Sequence, residues 1–376
     1  MRPASWEDDA FQSLCGLIGC ELKGAAPPEI TDTSALVPMA RRHRLLDILG
    51  RVPGASPDVK AALQSQVRAG LRQVAALAAI IRAAQKRGLP VIVVKGVALS
   101  MLLHGDPCRR AAGDIDLLVP PGRFMAAAEL LMELGYTLDP DGPPLSAMEG
   151  GNQHIRDLTF IGHGQRIELH RRLYELSTRL PGDFDILWSH RSDLTVGPVT
   201  IPTIGPVHLA LYLLVHGHGH DWERLRWLLD LALLLRQPGL MEMLQQQARQ
   251  YRVERAHGQA LALIGHLFGP LPAFPVAGAV PARPVRMMMV YGMGMEPSPK
   301  TTTWFIHRLG HKWRDYRLHD GLGDFLSAMS RDLGTSVGDM ALFKLPPGLA
   351  WLYPFLRPVG FLWRNFRPGR RERHPP

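Results

Sequence analysis

Apolar positions in the first ninety residues recur every three or four places. "TSALVPMARRHRLLDILGRV" and the alanine-rich "SPDVKAALQSQVRAGLRQVAALAAIIRAAQKRG" both follow the period of a helix with one buried face. Ser56 followed by Pro57 supplies a cap and a first turn, and Gly88 a stop. The rhythm then changes to a short β-branched run, "LPVIVVKG", which predicts a strand ending at Lys95 and Gly96. A helix is predicted from about Val97 to His104, followed by the turn "GDPCRRAAG" and a second strand in "DIDLLV". "GRFMAAAELLMELG" predicts a helix closed by Gly135. "DLTFIGHGQRIELHRR" alternates as a hairpin turning near His163 and Gly164, with Arg166, Glu168 and His170 on one face of its second strand.

From Pro206 the pattern is helical again, in "PVHLALYLLVHGHGHDWERLRWLLDLALLLRQ" and "GLMEMLQQQARQYRVERAHGQALALIGHLFG". "PLPAFPVAGAVPARP" reads as a connector. No internal repeat is present. The expected organisation is an N-terminal helical region over 1–88, an α/β core over 89–195, a helical domain over 196–275, and a helical, proline-rich C-terminal region over 276–376 with a basic tail. The expected fold class is α+β, a small mixed sheet flanked by helical segments.

Composition narrows the setting. The 376 residues carry no apolar run long enough to span a bilayer, and the acidic start "MRPASWEDDAFQ" lacks the order of a secretory signal, so the expected location is the cytoplasm. Cys15, Cys20 and Cys108 form neither a disulfide framework nor a zinc knuckle. The formal net charge of +9 favours an anionic partner without choosing among nucleotide phosphates, nucleic acid and acidic lipid. Nucleic acid is the less favoured, because the expected sheet has few aromatics to stack bases. Trp351 through Arg373, rich in aromatics and arginine, suits either peripheral membrane contact or packing on the helical domain. Its recurrent prolines argue against a continuous amphipathic helix and favour packing.

The candidate chemistry lies in "AAGDIDLLV". Asp114 and Asp116, two apart in a strand, point to one side, an arrangement that costs free energy without a cation between them. Glu168, on a strand expected in the same sheet, adds a third carboxylate. Such a set can hold magnesium, or manganese in its place, and support phosphoryl transfer. Upstream, Gly96 at a strand-to-helix junction lets backbone N–H groups approach an anion, Lys95 adds a charge, and Arg110 offers a planar fork to phosphate oxygens. His170, His216, His220 and Asp230 are candidate cleft residues. The triplet His216, His218 and His220 also raises a zinc site, which Gly217 and Gly219 and the lack of a nearby cysteine disfavour. Asp230 is expected either to pair with an arginine such as Arg226 or to face the site.

"VVKGVALSMLLHGDPCRRAAGDIDLLV" followed by "RIELH" resembles the pattern of a largely uncharacterised bacterial nucleotidyltransferase family of the polymerase-beta-like superfamily. The similarity continues in "HGHGHDWERLRWLLDL". The resemblance implies that Asp114 and Asp116 are metal ligands, that Glu168 is the third carboxylate, and that Gly96 lies in the phosphate-binding turn. The superfamily's serine after the glycine is replaced here by Val97, which leaves Lys95 as the substitute phosphate contact. The function so implied is transfer of a nucleoside monophosphate, AMP favoured, from a triphosphate to a hydroxyl or phosphate of an acceptor such as a modified peptide, a polysaccharide precursor or a small molecule. A catalytically inactive nucleotide- or RNA-binding regulator is the alternative.

Overall fold

A computed structural model of the chain describes residues 9–140, 142–145, 156–173, 180–181, 183–271, 274, 282–292 and 352–366, with a few positions between 323 and 349. Most of the proline-rich connector, much of the C-terminal region and the basic tail after residue 366 lie outside the described residues.

Four helices lead, α1 (Asp9–Lys23), α2 (Val37–Arg42), α3 (Leu46–Leu49) and the long α4 (Pro57–Lys86). The expected start of α4 is present: the Ser56 side chain accepts from the Val59 N–H at 3.4 Å, and Pro57 opens the first turn. Next come β1 (Ile92–Val93), α5 (Val97–His104), β2 (Ile115–Leu118) and α6 (Phe124–Glu133). The sheet continues with β3 (Thr137–Leu138), β4 (Asp157–Gly162) and β5 (Gln165–His170), then α7 (Phe184–Ser189), β6 (Ser192–Val196) and β7 (Val199–Thr203). The helices α8 (Pro206–Gly219), α9 (Leu225–Leu234), α10 (Leu240–Gln250) and α11 (Glu254–Phe268) follow, with α12 (Ala282–Gly292) and α13 (Tyr353–Phe366) beyond.

The seven strands form one mixed sheet in the order β3-β4-β5-β2-β1-β7-β6. The β4–β5 hairpin turns at His163 and Gly164, both at positive φ, and pairs Gly162 with Gln165. Two left-handed residues match the twist of the flanking strands, which sets the register. β2 runs parallel to β5, and this pairing puts Asp116 directly beside Glu168. β6 and β7, not expected from the sequence, extend the sheet to Thr203, past the boundary expected at residue 195.

Alternation then sorts the sheet's two faces. Ile115, Leu117, Ile167 and Leu169 pack with Leu77, Ile81, Phe124 and Leu131 of α4 and α6. Ile92, Val94 and Leu118 point the other way, into a second core built from α1–α3 and α8–α11. The acids of the sheet therefore face the helical half of the molecule.

Helix is not continuous across "LLVHGHGHDWERLRW". α8 ends near Gly219, and Asp221 and Trp222 take positive φ before α9 begins. The cause is Trp222, fully buried, whose ring folds under Gly217 so closely that a Cβ there would lie 2.3 Å from Cζ3. Gly217 is thus required by packing. The C-terminal reading is also corrected: Tyr353–Phe366 is one helix despite Pro354 and Pro358. Pro354 falls in the first turn, where N–H groups have no helical partner, and Pro358 forfeits a single ladder bond.

A buried charge network joins these parts. Arg226, fully buried on α9, pairs with Asp47 of α3 and donates from Nε to the Arg44 carbonyl at 2.9 Å. Asp230, one helical turn on, accepts from Arg110 Nε at 2.7 Å and lies 3.9 Å from Arg226. Arg109 reaches Glu21 of α1 at 2.6 Å and Asp47 at 3.6 Å. Each charge was desolvated against a partner, so removing one leaves another uncompensated. Asp230→Ala is expected to lower unfolding free energy by about 3–5 kcal/mol, read from urea denaturation.

His43 is fully buried and accepts the Leu225 N–H on Nδ1 at 3.2 Å. Burial, aided by the charges of Arg224 and Arg42, pushes its pKa down to about 3. The folded chain thus stays unprotonated here while the unfolded chain binds a proton below about pH 6.5. Stability from this group is present above that pH and is lost as pH falls toward 3. Between pH 7 and pH 5 the loss is on the order of 2 kcal/mol. Urea midpoints at the two pH values check this, and His43→Asn, which keeps an acceptor for Leu225, flattens the slope.

Candidate active site

Lys95 leaves β1 on the face toward the helices and places Nζ 3.2 Å from Oδ1 of Asp116. Asp116 is 1% exposed, and His170 Nε2 stands 3.2 Å from the same oxygen. Burial alone would raise the Asp116 carboxyl. The Lys95 ammonium and the hydrogen bonds from His170 and Lys95 outweigh it and hold the group well below the usual carboxylate range. Glu168 goes the opposite way: burial, then the charges of Asp116 and Asp114, push its carboxyl up. For Lys95, burial opposes the ammonium, but Tyr212 and the three acids Asp116, Asp114 and Glu168 raise its pKa above the ordinary lysine value.

Asp116, Glu168 and His170 each offer a ligand atom within 4.8 Å of the others, the one such group among the described residues. The second oxygen of Asp116, Oδ2, is buried without a hydrogen-bond partner. Two carboxylates, one of them with an unsatisfied oxygen, and an imidazole form a donor set that fits a divalent cation. Asp157 of β4 lies 3.8 Å from Nδ1 of His170, beyond hydrogen-bond reach, and accepts from Arg156 Nε at 2.5 Å. Arg166, on the exposed end of β5, lies 3.7 Å from Glu168 and 3.3 Å from Asp139.

Asp114 stands at the bend before β2, half-buried, with its charge acting on Lys95 and Glu168. The strand begins one residue later than the sequence pattern suggested. Gly96 caps α5 at φ 65, ψ −121, a conformation that side-chain-bearing residues rarely adopt. Arg110, expected to grip a phosphate, is 5% exposed and its Nε is committed to Asp230. Asp230 correspondingly serves the interior pair. The loop of Arg110 is fixed by Ser100, whose Oγ accepts the Arg110 N–H at 2.9 Å, and by Gln66 and Gln73 of α4, which donate to the carbonyls of Arg109 and Ala112.

His216 and His220 are neighbours, with ring centroids 4.7 Å apart, and both stand against Trp227. Burial, then the charges of His220, Lys95 and Arg156, pushes the His216 pKa well below its ordinary value. His218 turns away and bonds Gln259 at 2.7 Å. The three histidines therefore do not gather as a zinc site. Tyr212, one turn before His216 and stacked on it at 5.7 Å, was missed by the sequence reading. The signal was the four-residue spacing on α8. Burial raises its phenol to about 12, so it stays neutral beside Lys95.

A small sheet whose neighbouring parallel strands bring two carboxylates and a histidine together, with a lysine-glycine turn beside them, belongs to phosphoryl-transfer chemistry. The chain belongs to a family of uncharacterised nucleotidyltransferases, whose model matches residues 30–269. It is accordingly a transferase of nucleoside monophosphates. The solved structure of ANT(2")-Ia in complex with adenylyl-2"-tobramycin is similar over 49% of this chain and 98% of its own, at 14% identity and a TM-score of 0.36. That distance assigns nothing to this chain. No curated protein matches it.

Gly96→Ala tests the turn. A Cβ there would meet Ala112 and the Asp114 carbonyl at 3.5 Å, ordinary contacts, so the penalty comes from the backbone alone. The expected cost is about 1–3 kcal/mol in equilibrium unfolding, whereas Gly122→Ala, with open space and no positive φ, stays within about 0.5 kcal/mol.

Proposed function

We propose that the protein transfers a nucleoside monophosphate, AMP favoured, from a nucleoside triphosphate to a hydroxyl or phosphate oxygen of an acceptor, releasing pyrophosphate. The observation that carries the reading is the convergence of Asp116, Glu168 and His170 within 4.8 Å of one another beside Lys95, in a nucleotidyltransferase chain.

Asp116 and Glu168, with Asp114 at the rim, would hold magnesium, or manganese in its place; His170 makes the donor set friendlier to manganese than three oxygens alone. The cation would neutralise developing charge on the leaving pyrophosphate and on the attacked phosphorus. The chain's own residues do the rest. Lys95 is already charged and seated 3.2 Å from Asp116, so it can exchange that carboxylate for a phosphate oxygen. The Gly96 turn lets the backbone approach the triphosphate ahead of α5. Glu168, with a raised proton affinity, takes the proton of the acceptor's hydroxyl. Tyr212 and His216, both uncharged, line the helical side, where they position substrate without competing for phosphate. Arg110 supports this arrangement indirectly by fixing the loop that carries Asp114.

Calorimetric titration with a non-hydrolysable ATP analogue, with and without magnesium, tests the reading. Binding is expected to need the cation and to fall at least ~100-fold in Asp116→Asn. Glu168→Gln is expected to retain nucleotide binding more fully and to lose turnover. Cation-independent binding of equal strength in both variants defeats the proposal.

A further inference from the structure

A cavity of about 410 Å³ opens between the C-terminal turns of α1, residues 24–27 beyond it, α3 and the loop that precedes β2. That volume is within the range of small-molecule sites, about 300–1,000 Å³. None of Lys95, Asp116, Glu168 and His170 lines it, so it is separate from the acidic cluster. Its lining is of two kinds: Leu17, Ile48 and Pro27 are apolar, whereas Glu21, Arg51 and Arg109 are charged.

The Glu21 carboxylate is held between the two guanidinium groups. One oxygen accepts from Arg109 Nη2 at 2.6 Å and the other from Arg51. A guanidinium carries five N–H donors. Arg51 and Arg109 are 53% and 24% exposed, so donors beyond those given to Glu21 stay within reach of a molecule in the cavity. Two cations against one acid leave the lining with a surplus positive charge. Asp47, 3.6 Å from Arg109, does not cancel it, because that carboxylate is paired with Arg226. His104 senses the same field: burial, then the charges of Arg109, Arg226, Arg110 and Arg51, pushes its pKa down to about 3.

A cavity with apolar walls alone suits a hydrocarbon, and one with arginines alone suits inorganic phosphate. The mixture selects a molecule that is both, an anionic head on an apolar body. The loop gives its binding a consequence. Arg109 is followed by Arg110, locked to Asp230, and then by the bend that carries Asp114. A ligand on the Arg109 guanidinium therefore grips the loop that positions Asp114.

We infer that this cavity is a second binding site, taking a small organic anion with one carboxylate or phosphate group and a short apolar body, and that its occupant braces the loop leading to Asp114 through Arg109.

Cys20 supplies the readout, because it lines the cavity and is half-buried, while Cys15 and Cys108 are buried. The experiment follows iodoacetamide alkylation of Cys20 in the full-length protein by mass spectrometry, at constant ionic strength, with added hexanoate, phenyl phosphate, inorganic phosphate or hexylammonium. Hexanoate or phenyl phosphate is expected to slow alkylation about tenfold at about ten times its half-effect concentration, the share left free by mass action. The anion that protects at the lower concentration identifies the head group. Arg51→Gln is expected to raise the half-effect concentration about tenfold and Glu21→Gln to lower it, since one removes a charge-assisted donor and the other a competing carboxylate. Hydrogen exchange over residues 105–114 is expected to slow with the anion bound.

No protection by either organic anion overturns the inference, as does equal protection by hexylammonium or by inorganic phosphate. Half-effect concentrations unchanged in both variants put the anion elsewhere and also overturn it. Protection of Cys20 with unchanged exchange over 105–114 overturns the brace. Alkylation of Cys15 or Cys108 in one variant marks loss of its fold, and the other variant then decides. No nucleotide enters the experiment, so failure here stands apart from failure of the catalytic reading.

Discussion

A carboxylate inside a sheet is tolerated only when a cation meets it, and the contact between Lys95 and Asp116 is where this chain satisfies that rule. Asp116 sits on β2 and Lys95 just past the end of β1, and the antiparallel pairing of these strands is sealed by the Val94 N–H donating to the Asp116 carbonyl at 3.0 Å. The same sheet then places Glu168 beside Asp116 through the parallel β2–β5 pairing. Like charges are brought together by backbone geometry, and the ammonium and imidazole around them make the arrangement affordable. Glu168, left with the smaller share of that compensation, holds its proton more tightly than a free carboxyl. Two acids in one site are thereby driven to opposite proton affinities, which is the asymmetry a transfer site needs between a group that binds charge and a group that accepts a proton.

Much of this was legible because β-strands have a period of two. The alternation in "RIELH" put Glu168 and His170 on one face, and the His-Gly turn fixed the register of β5 against β4. The lysine-glycine junction before α5 was visible as a β-branched run that stops. Arg110 was misread because its counter-ion, Asp230, is 120 residues away in the chain, and spacing carries no information about that meeting. Asp114 was drawn into the strand by the same alternation that served elsewhere, but Gln73 holds the preceding carbonyl of Ala112 and the chain bends before pairing begins. His170 was read as a cleft residue only, since the local pattern puts it on the face of Glu168 without showing that its ring turns to Asp116.

The remaining misses share one cause, local rules overridden by tertiary contacts. Trp222 takes a left-handed conformation, unfavourable for a bulky residue, because its ring gains a fully buried position under Gly217. The β6–β7 hairpin includes Pro202, a residue that argues against a strand, yet Thr203 still pairs with Val93 of β1 and donates from its hydroxyl to the Val93 carbonyl at 2.7 Å. In α13 the two prolines cost less than the pattern implied, because Pro354 falls where N–H groups are without partners in any case and Pro358 gives up one ladder bond.

The pair between Arg110 and Asp230 joins the loop that leads into the acidic cluster to the helix that backs it. Together with Arg226 and Asp47 it makes a strut of buried ion pairs from that loop through α9 to α3. Elements tied in this way do not part cheaply, since separating them hydrates one charge while stranding another. The backing of the acidic cluster is therefore stiff, braced by paired charges much as a truss is braced by its members.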